Sequence, residues 1–327
     1  MKFFLKSRLL KIRRKARRLH SARFSLISPS LERERSILGQ QTSLKGSVSI
    51  GGHGLHTGEP SNITLKPAPA YTGYVFRRID LNDFEISATP QHIARVSYAT
   101  TLMRQGVMVA TVEHLLAALA GSHIDNCIIE IDSLEVPIID GSAEPFIEMI
   151  ERAGIVELGA PRQFLQVLKR VEFAQGNRRM SISPSDKFSI SCMIDFAHPM
   201  IGVQRSSIEI TDGQFARQVA AARTFGFLAE YPALRDLGLN RGGSLENAIV
   251  LTPEGGIMNK EGLRFPDEFV RHKILDIVGD LALFGMPILG HIEAERSGHG
   301  IHTALVAKVL HDDSAWAIGD SQLALHA

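Results

Sequence analysis

From Ser43 onward, apolar and polar residues alternate with the period of two that marks a half-buried strand, then switch to the three-and-four spacing of a helix, and back. SLKGSVSI and SNITLKPA read as strands. The GGHGLHTGEP between them is a hairpin-type connection, because phosphate-binding glycines must lead into a helix and here another strand pattern follows. GYVFRRID and VMVA extend the strand series. TVEHLLAALAG then predicts a helix capped by Thr111 and ended by Gly121. After it come a buried strand, NCIIEI, and a turn leading into an amphipathic helix, PIIDGSAEPFIEMIERAGI.

Near Pro161 the strand pattern restarts with QFLQVLKRVEFAQ, RRMSISPS and KFSISCMIDF, which places a domain boundary at about 155–166. The remainder reads as a helical then irregular stretch (QFARQVAAARTFGFLAEYPALRDLG), a strand and turn (NAIVLTPEGGIM), and a long helix (FPDEFVRHKILDIVGDLALFG). The strand-to-helix run LGHIEAERSGHGIHTALVAKVL closes it. Each half mixes an antiparallel-looking sheet with about two helices, so the expected class is α+β, with domains over 39–160 and 161–327.

Charge changes this picture at one end of the chain. The net charge of +1 arises from 36 Lys and Arg against 35 Asp and Glu, and ten of the basic residues fall in residues 1–30, which hold no acid. The rest carries 26 basic against 35 acidic residues, a net of −9. Binding along a phosphate backbone needs a basic footprint on the folded surface, so nucleic acid is excluded as an expected partner. The leader, residues 1–38, reads as a disordered extension, an organelle-targeting sequence, or a basic helix lying on an anionic membrane surface. No apolar run approaches the roughly 20 residues of a membrane-spanning helix, so stable insertion is not expected. Cys127 and Cys192 are far apart and form no C-x-x-C pattern, so a metal must be held by His, Asp or Glu.

Candidate chemistry begins on the long helix. At 100° per residue Ile274, Leu275, Ile277, Val278, Leu281 and Phe284 share a broad apolar arc, leaving a narrow stripe of His272, Asp276, Gly279 and Asp280. The stripe is either the solvated edge of a surface helix or a pair of metal ligands, since residues four apart lie one above the other and could reach one ion. A third ligand is needed. His114 stands in the first turn of an otherwise apolar helix beside Glu113, and such a pair lets an imidazole bind metal while the carboxylate acts as general base. The alternative is a core histidine and a favourable helix-terminal charge. His299 lies between two glycines in SGHGIH, either approaching a ligand closely or merely exposed.

The blocks TVEHLLAALAG, PIIDGSAEPF, ARTFGF, EFVRHKILDIVGDL and SGH, in this order, resemble the UDP-3-O-acyl-N-acetylglucosamine deacetylases, the zinc amidases that commit the lipid A pathway. The match runs from about Gln41 to about Leu310. The resemblance implies Zn2+ held by His114, His272 and Asp276, with Glu113 as base and His299, oriented by Asp280, stabilising the oxyanion or protonating the leaving amine. Thr224 would donate to the same oxyanion and Lys273 would hold the substrate. Phe225 and Gly243 match substrate-contact positions.

Two α+β domains with the active site between them are implied as well, with an insert near 227–251 shaping a passage for the fatty acyl chain. The expectation is a cytoplasmic, monomeric enzyme acting on a UDP-linked acylated sugar and releasing acetate, organelle targeting by the leader being the alternative address. Two other readings compete: a zinc amidohydrolase of a different N-acyl sugar, and a non-catalytic sugar-nucleotide binder. Glu113 separates the second from an enzyme, because a binder gains nothing from a carboxylate beside a metal ligand.

Overall fold

A computed structural model describes residues 39–211 and 213–320, so the expectations for the leader lie outside the described residues. In the first half the strands are β1 (Gln40–Leu44), β2 (Val48–His53), β3 (Pro60–Pro67), β4 (Tyr74–Arg78), β5 (Phe84–Ser87), β6 (Ile93–Arg95), β7 (Thr101–Arg104), β8 (Val107–Val109), β9 (Cys127–Ile131) and β10 (Ile155–Pro161). The helices there are α1 (Glu113–Gly121) and α2 (Glu144–Ala153). A five-stranded sheet runs β2-β3-β9-β4-β5, parallel at β4–β9 and antiparallel elsewhere. The β2–β3 hairpin is the one expected from the period-2 segments around GGHGLHTGEP.

The second half contains β11 (Gln163–Val167), β12 (Val171–Gln175), β13 (Arg178–Ser183), β14 (Phe188–Phe196), β15 (Gly202–Glu209), β16 (Phe225–Phe227), β17 (Ile249–Leu251), β18 (Ile288–Glu295) and β19 (Trp316–Asp320). Its helices are α3 (Tyr231–Asp236), α4 (Glu268–Leu281) and α5 (His299–His311). The larger sheet is built around β18, which pairs antiparallel with β13 and parallel with β11 and β14. Among the described residues, no strand pairing crosses residue 162. The class is α+β.

One local expectation is corrected. Thr111 does not cap α1: the N-cap is Val112, with no side-chain cap bond, and the Thr111 hydroxyl donates to Glu135 at 2.7 Å. The helix does end at Gly121, which is not in the left-handed region, and the position requires glycine because a Cβ there would stand 2.2 Å from the Phe215 ring. The stretch expected to be helical and then irregular from Gln214 is helical over 214–220, its larger part the π-helical turn Ala216–Ala220, and turns irregular before β16.

α1 is apolar on almost every face, and a helix of that kind has to be buried all round. Leu115, Leu116, Ala117, Ala118 and Leu119 are all fully buried, and α1 packs along α4. The α4 side chains Phe269, Val270, Ile274, Leu275 and Ile277 are buried as well, each contributing roughly 1.5–3 kcal/mol of apolar burial. The solvated-edge reading of the α4 stripe is overturned, because His272, Asp276 and Asp280 are all at most 2% exposed.

Gly279 explains how closely the two helices approach. A Cβ at that position would lie 2.0 Å from the Glu113 carbonyl oxygen, so the α1 and α4 backbones touch where their polar residues face each other. Gly279→Ala is expected to force the helices apart at a cost of about 1–3 kcal/mol, read from the midpoint of urea unfolding. An unchanged midpoint would contradict that contact.

Candidate active site

The α1–α4 contact brings together side chains that are 158 or more residues apart in the chain. His114 Nε2 stands 3.7 Å and His272 Nε2 3.4 Å from the same Asp276 oxygen, and one donor atom from each residue fits within 4.8 Å of the others. None of these separations is a hydrogen bond. They are close to the spacing of about 3.3 Å expected between ligand atoms each 2.0–2.1 Å from one tetrahedral ion.

The surroundings leave the right atoms free. The His272 Nδ1–H donates to the Ala222 carbonyl at 3.0 Å, which leaves the Nε2 lone pair facing Asp276. His114 Nδ1 is buried without a hydrogen-bond partner. Burial, followed by the neighbouring His272, pushes the His114 imidazole down to about 3, and burial also lowers His272, which favours in both rings the neutral form that can bind a metal. For Asp276 burial acts to raise the pKa, but Lys273, His272 and His299 outweigh it and hold the carboxyl well below its usual range. The other Asp276 oxygen accepts from Lys273 Nζ at 2.8 Å. Two neutral imidazoles and a carboxylate, with no thiolate, suit a zinc ion that keeps an open position.

Beside this cluster lies a second one. Asp280 Oδ2 accepts from His299 Nδ1 and from His302 Nδ1, both at 2.7 Å, while Oδ1 accepts from Thr100 Oγ1 at 2.6 Å. These three could also meet at an ion by distance alone. Their hydrogen bonds already use the atoms that a metal would need, so the first cluster is the better metal centre. Burial would lower the His299 pKa, but the Asp280 charge and hydrogen bond raise it to about 10. His299 is therefore an imidazolium at neutral pH, and its Nε2 lies 3.7 Å from Glu113 Oε1.

Glu113 is 3% exposed, and its Oε2 accepts from the Thr100 backbone N–H at 3.1 Å. Burial raises its carboxyl to about 8 against the opposing pull of His299. A nearby dication would favour the ionised form.

A cavity of about 200 Å³ opens over the first cluster and reaches His299 of the second, and Glu113, Thr224, Phe225 and Lys273 line it as well. Lys273 Nζ lies 5.4 Å from the centre of the Phe225 ring. The Ala222–Phe225 segment is held by a buried ion pair in which Arg223 Nε donates to Glu268 at 2.9 Å, one turn before His272 on α4. Gly243 does not line this cavity. Its neighbours Gly242 and Ser244 line another cavity, of about 360 Å³.

Sequence reasoning missed His302, Thr100, Tyr98 and Leu55. The only signal for His302 was its place one turn after His299 on α5, and Leu55 and Tyr98 reach the cavity from loops with no motif.

A family profile described as UDP-3-O-acyl N-acetylglycosamine deacetylase matches residues 41–311. A protein of Myxococcus xanthus (strain DK1622) named UDP-3-O-acyl-N-acetylglucosamine deacetylase is 50% identical over 279 residues, 85% of this chain and 88% of its own. Proteins of the same name from Solibacter usitatus (strain Ellin6076) and Cellvibrio japonicus (strain Ueda107) are each 45% identical. They cover 85% of this chain and 94% and 92% of their own lengths.

Proposed function

Because the chain belongs to the UDP-3-O-acyl N-acetylglycosamine deacetylase family, we infer that it hydrolyses the N-acetyl group of UDP-3-O-acyl-N-acetylglucosamine, releasing acetate in the committed step of lipid A synthesis, with Zn2+ on His114, His272 and Asp276. The observation that carries this reading is the unbonded His-His-Asp cluster flanked by a buried carboxylate and an imidazolium. An ion held there supplies Lewis-acid polarisation of the amide carbonyl and acidifies water.

The chain's own residues supply the rest. Glu113, fixed through Oε2 by Thr100, takes the proton of the attacking water at Oε1. The Thr224 hydroxyl donates to the carbonyl oxygen as negative charge develops on it, and the Lys273 ammonium holds substrate at the same rim. His299, oriented by Asp280, gives its Nε2 proton to the departing amine. Phe225 and Gly243 contact substrate, and the segment 227–251 encloses the acyl chain. In this reading residues 39–160 and 161–327 are separate domains of a monomeric, cytoplasmic enzyme. Among the described residues, no helix is long and apolar enough to cross a membrane.

The pH dependence follows from Asp280. The His299 proton must be present for turnover, so activity falls as pH rises through its pKa. Asp280→Asn removes the group that raises that pKa and leaves burial, which lowers it. The alkaline limb of the kcat/KM profile is expected to move to lower pH in this variant. A limb that stays in place would assign the proton to another group.

The functional reading is tested with substrate. Burial of a fatty chain contributes about 0.8 kcal/mol per methylene, several kcal/mol in all, and this non-reacting part can hold the acetamide in place for attack. UDP-N-acetylglucosamine lacking the 3-O-acyl group is expected to be a very poor substrate beside its acylated form, with acetate release measured for both. Comparable kcat/KM values would leave a zinc amidohydrolase of another N-acyl sugar.

A further inference from the structure

Glu135 is completely buried, yet the groups around its carboxylate are neutral donors. Its oxygens accept from the backbone N–H of His56 at 3.0 and 3.2 Å, from the N–H and hydroxyl of Thr57, each at 2.8 Å, and from the Thr111 hydroxyl at 2.7 Å. A carboxylate buried without a countercharge is costly unless its lone pairs are filled in this way. The fold therefore commits this group to two segments far apart in the chain, and both of them end at the catalytic cavity.

The first is the loop between β2 and β3. Gly54 lets it close onto Glu135, since a Cβ at Gly54 would lie 2.3 Å from the carboxylate. Leu55, the next residue, lines the cavity. On its other side the loop is held by residues 241 and 242, whose N–H groups donate to the carbonyls of His56 and Leu55 at 3.2 and 3.0 Å. The second segment is Thr111, also in the cavity wall, whose φ of +56° is strained for a β-branched residue. Two residues later stands Glu113. The hydrogen bond to Glu135 restrains this turn.

We propose that Glu135 is a positioning residue for the deacetylation inferred above: its carboxylate sets the Leu55–His56 loop over the cavity and the Thr111 turn that delivers Glu113. The proposal rests on that functional reading for its kinetic consequence, and on the hydrogen bonds alone for its structural one. Glutamine has the same shape, but its amide group must turn donor hydrogens toward at least one of the N–H donors that the carboxylate accepts.

The test uses the full-length, zinc-loaded protein with Glu135→Gln and, as a control, Ser61→Ala, which removes the hydroxyl bonded at 2.7 Å to the Glu135 backbone carbonyl and leaves the carboxylate in place. The Gln variant is expected to keep wild-type zinc content and to lose about 10²-fold in kcat/KM, the size of effect that a misplacement of about 1 Å produces, with kcat falling and KM rising. Ser61→Ala is expected to unfold at lower temperature with kcat and KM unchanged. Adding Thr111→Val to the Gln variant is expected to cost less than the product of the two single effects. Hydrogen exchange at the His56 and Thr57 amides is expected to quicken in the Gln variant.

Wild-type kcat and KM in Glu135→Gln, or an equal kinetic loss in Ser61→Ala, would overturn the proposal, as would unchanged amide exchange. If Glu135→Gln does not accumulate as folded protein, Thr111→Val alone carries the test, and unaltered kcat and KM in that variant overturn it. Wild-type protein that releases no acetate refutes the functional reading alone, and the exchange measurement still decides whether the clamp exists.

Discussion

His272→Ala and Asp276→Ala are each expected to lose the bound zinc and, with it, about 10³-fold or more of the deacetylase activity. The magnitude follows from the several kcal/mol that a catalytic metal supplies, at 1.36 kcal/mol per tenfold in rate. Both side chains are 2% exposed and face one another across 3.4 Å without a hydrogen bond, so neither has another partner in that direction to explain its burial. Removing Asp276 also strips Lys273 of its carboxylate partner, and a loss of stability accompanies the loss of metal. Metal content by elemental analysis, beside acetate release, checks the expectation. Activity that persists in metal-free protein would sink the assignment. Affinity should fall as pH drops, because protonation of either imidazole removes the lone pair that binds.

Glu113→Ala is expected to do the opposite to the metal and nearly the same to the rate. Zinc should remain at wild-type stoichiometry, since Glu113 is not among the three clustered donor residues, while kcat falls roughly 10²- to 10⁴-fold, the contribution of general acid–base catalysis. His299 and Asp280 remain in place in that variant. The loss therefore belongs to the base and not to the acid. A variant that keeps both its zinc and its rate would move the base to another residue, and one that loses zinc would make Glu113 a ligand.

These two outcomes depend on features of different legibility. The pairing of His272 with Asp276 was visible in the chain because helix geometry is local: 3.6 residues per turn stacks positions four apart, whatever surrounds the helix. The adjacency of Glu113 and His114 was visible in the same way, and so was the apolar wrap of α1 that made a polar first turn conspicuous. Strands were legible through their period of two, and the β2–β3 hairpin through its loop. What pointed to the family was the order of five blocks, not the spacing within any of them.

Tertiary structure decided what each polar group meets. Thr111 had the residue type and position of a helix cap, but its hydroxyl is taken by Glu135, 24 residues away. Gly121 and Gly279 read as a helix stop and a member of the polar stripe, yet each is glycine because another element, Phe215 or the Glu113 backbone, occupies the space of a Cβ. Asp280 looked like the partner of His299 alone, and it also holds His302 and receives the Thr100 hydroxyl from 180 residues earlier. The chain by itself determined periodicities, and with them the element types and the residues that share a helix face, because backbone geometry over a few residues sets those. Contacts between residues tens to hundreds of positions apart depend on how whole elements pack, and only the folded molecule specifies them.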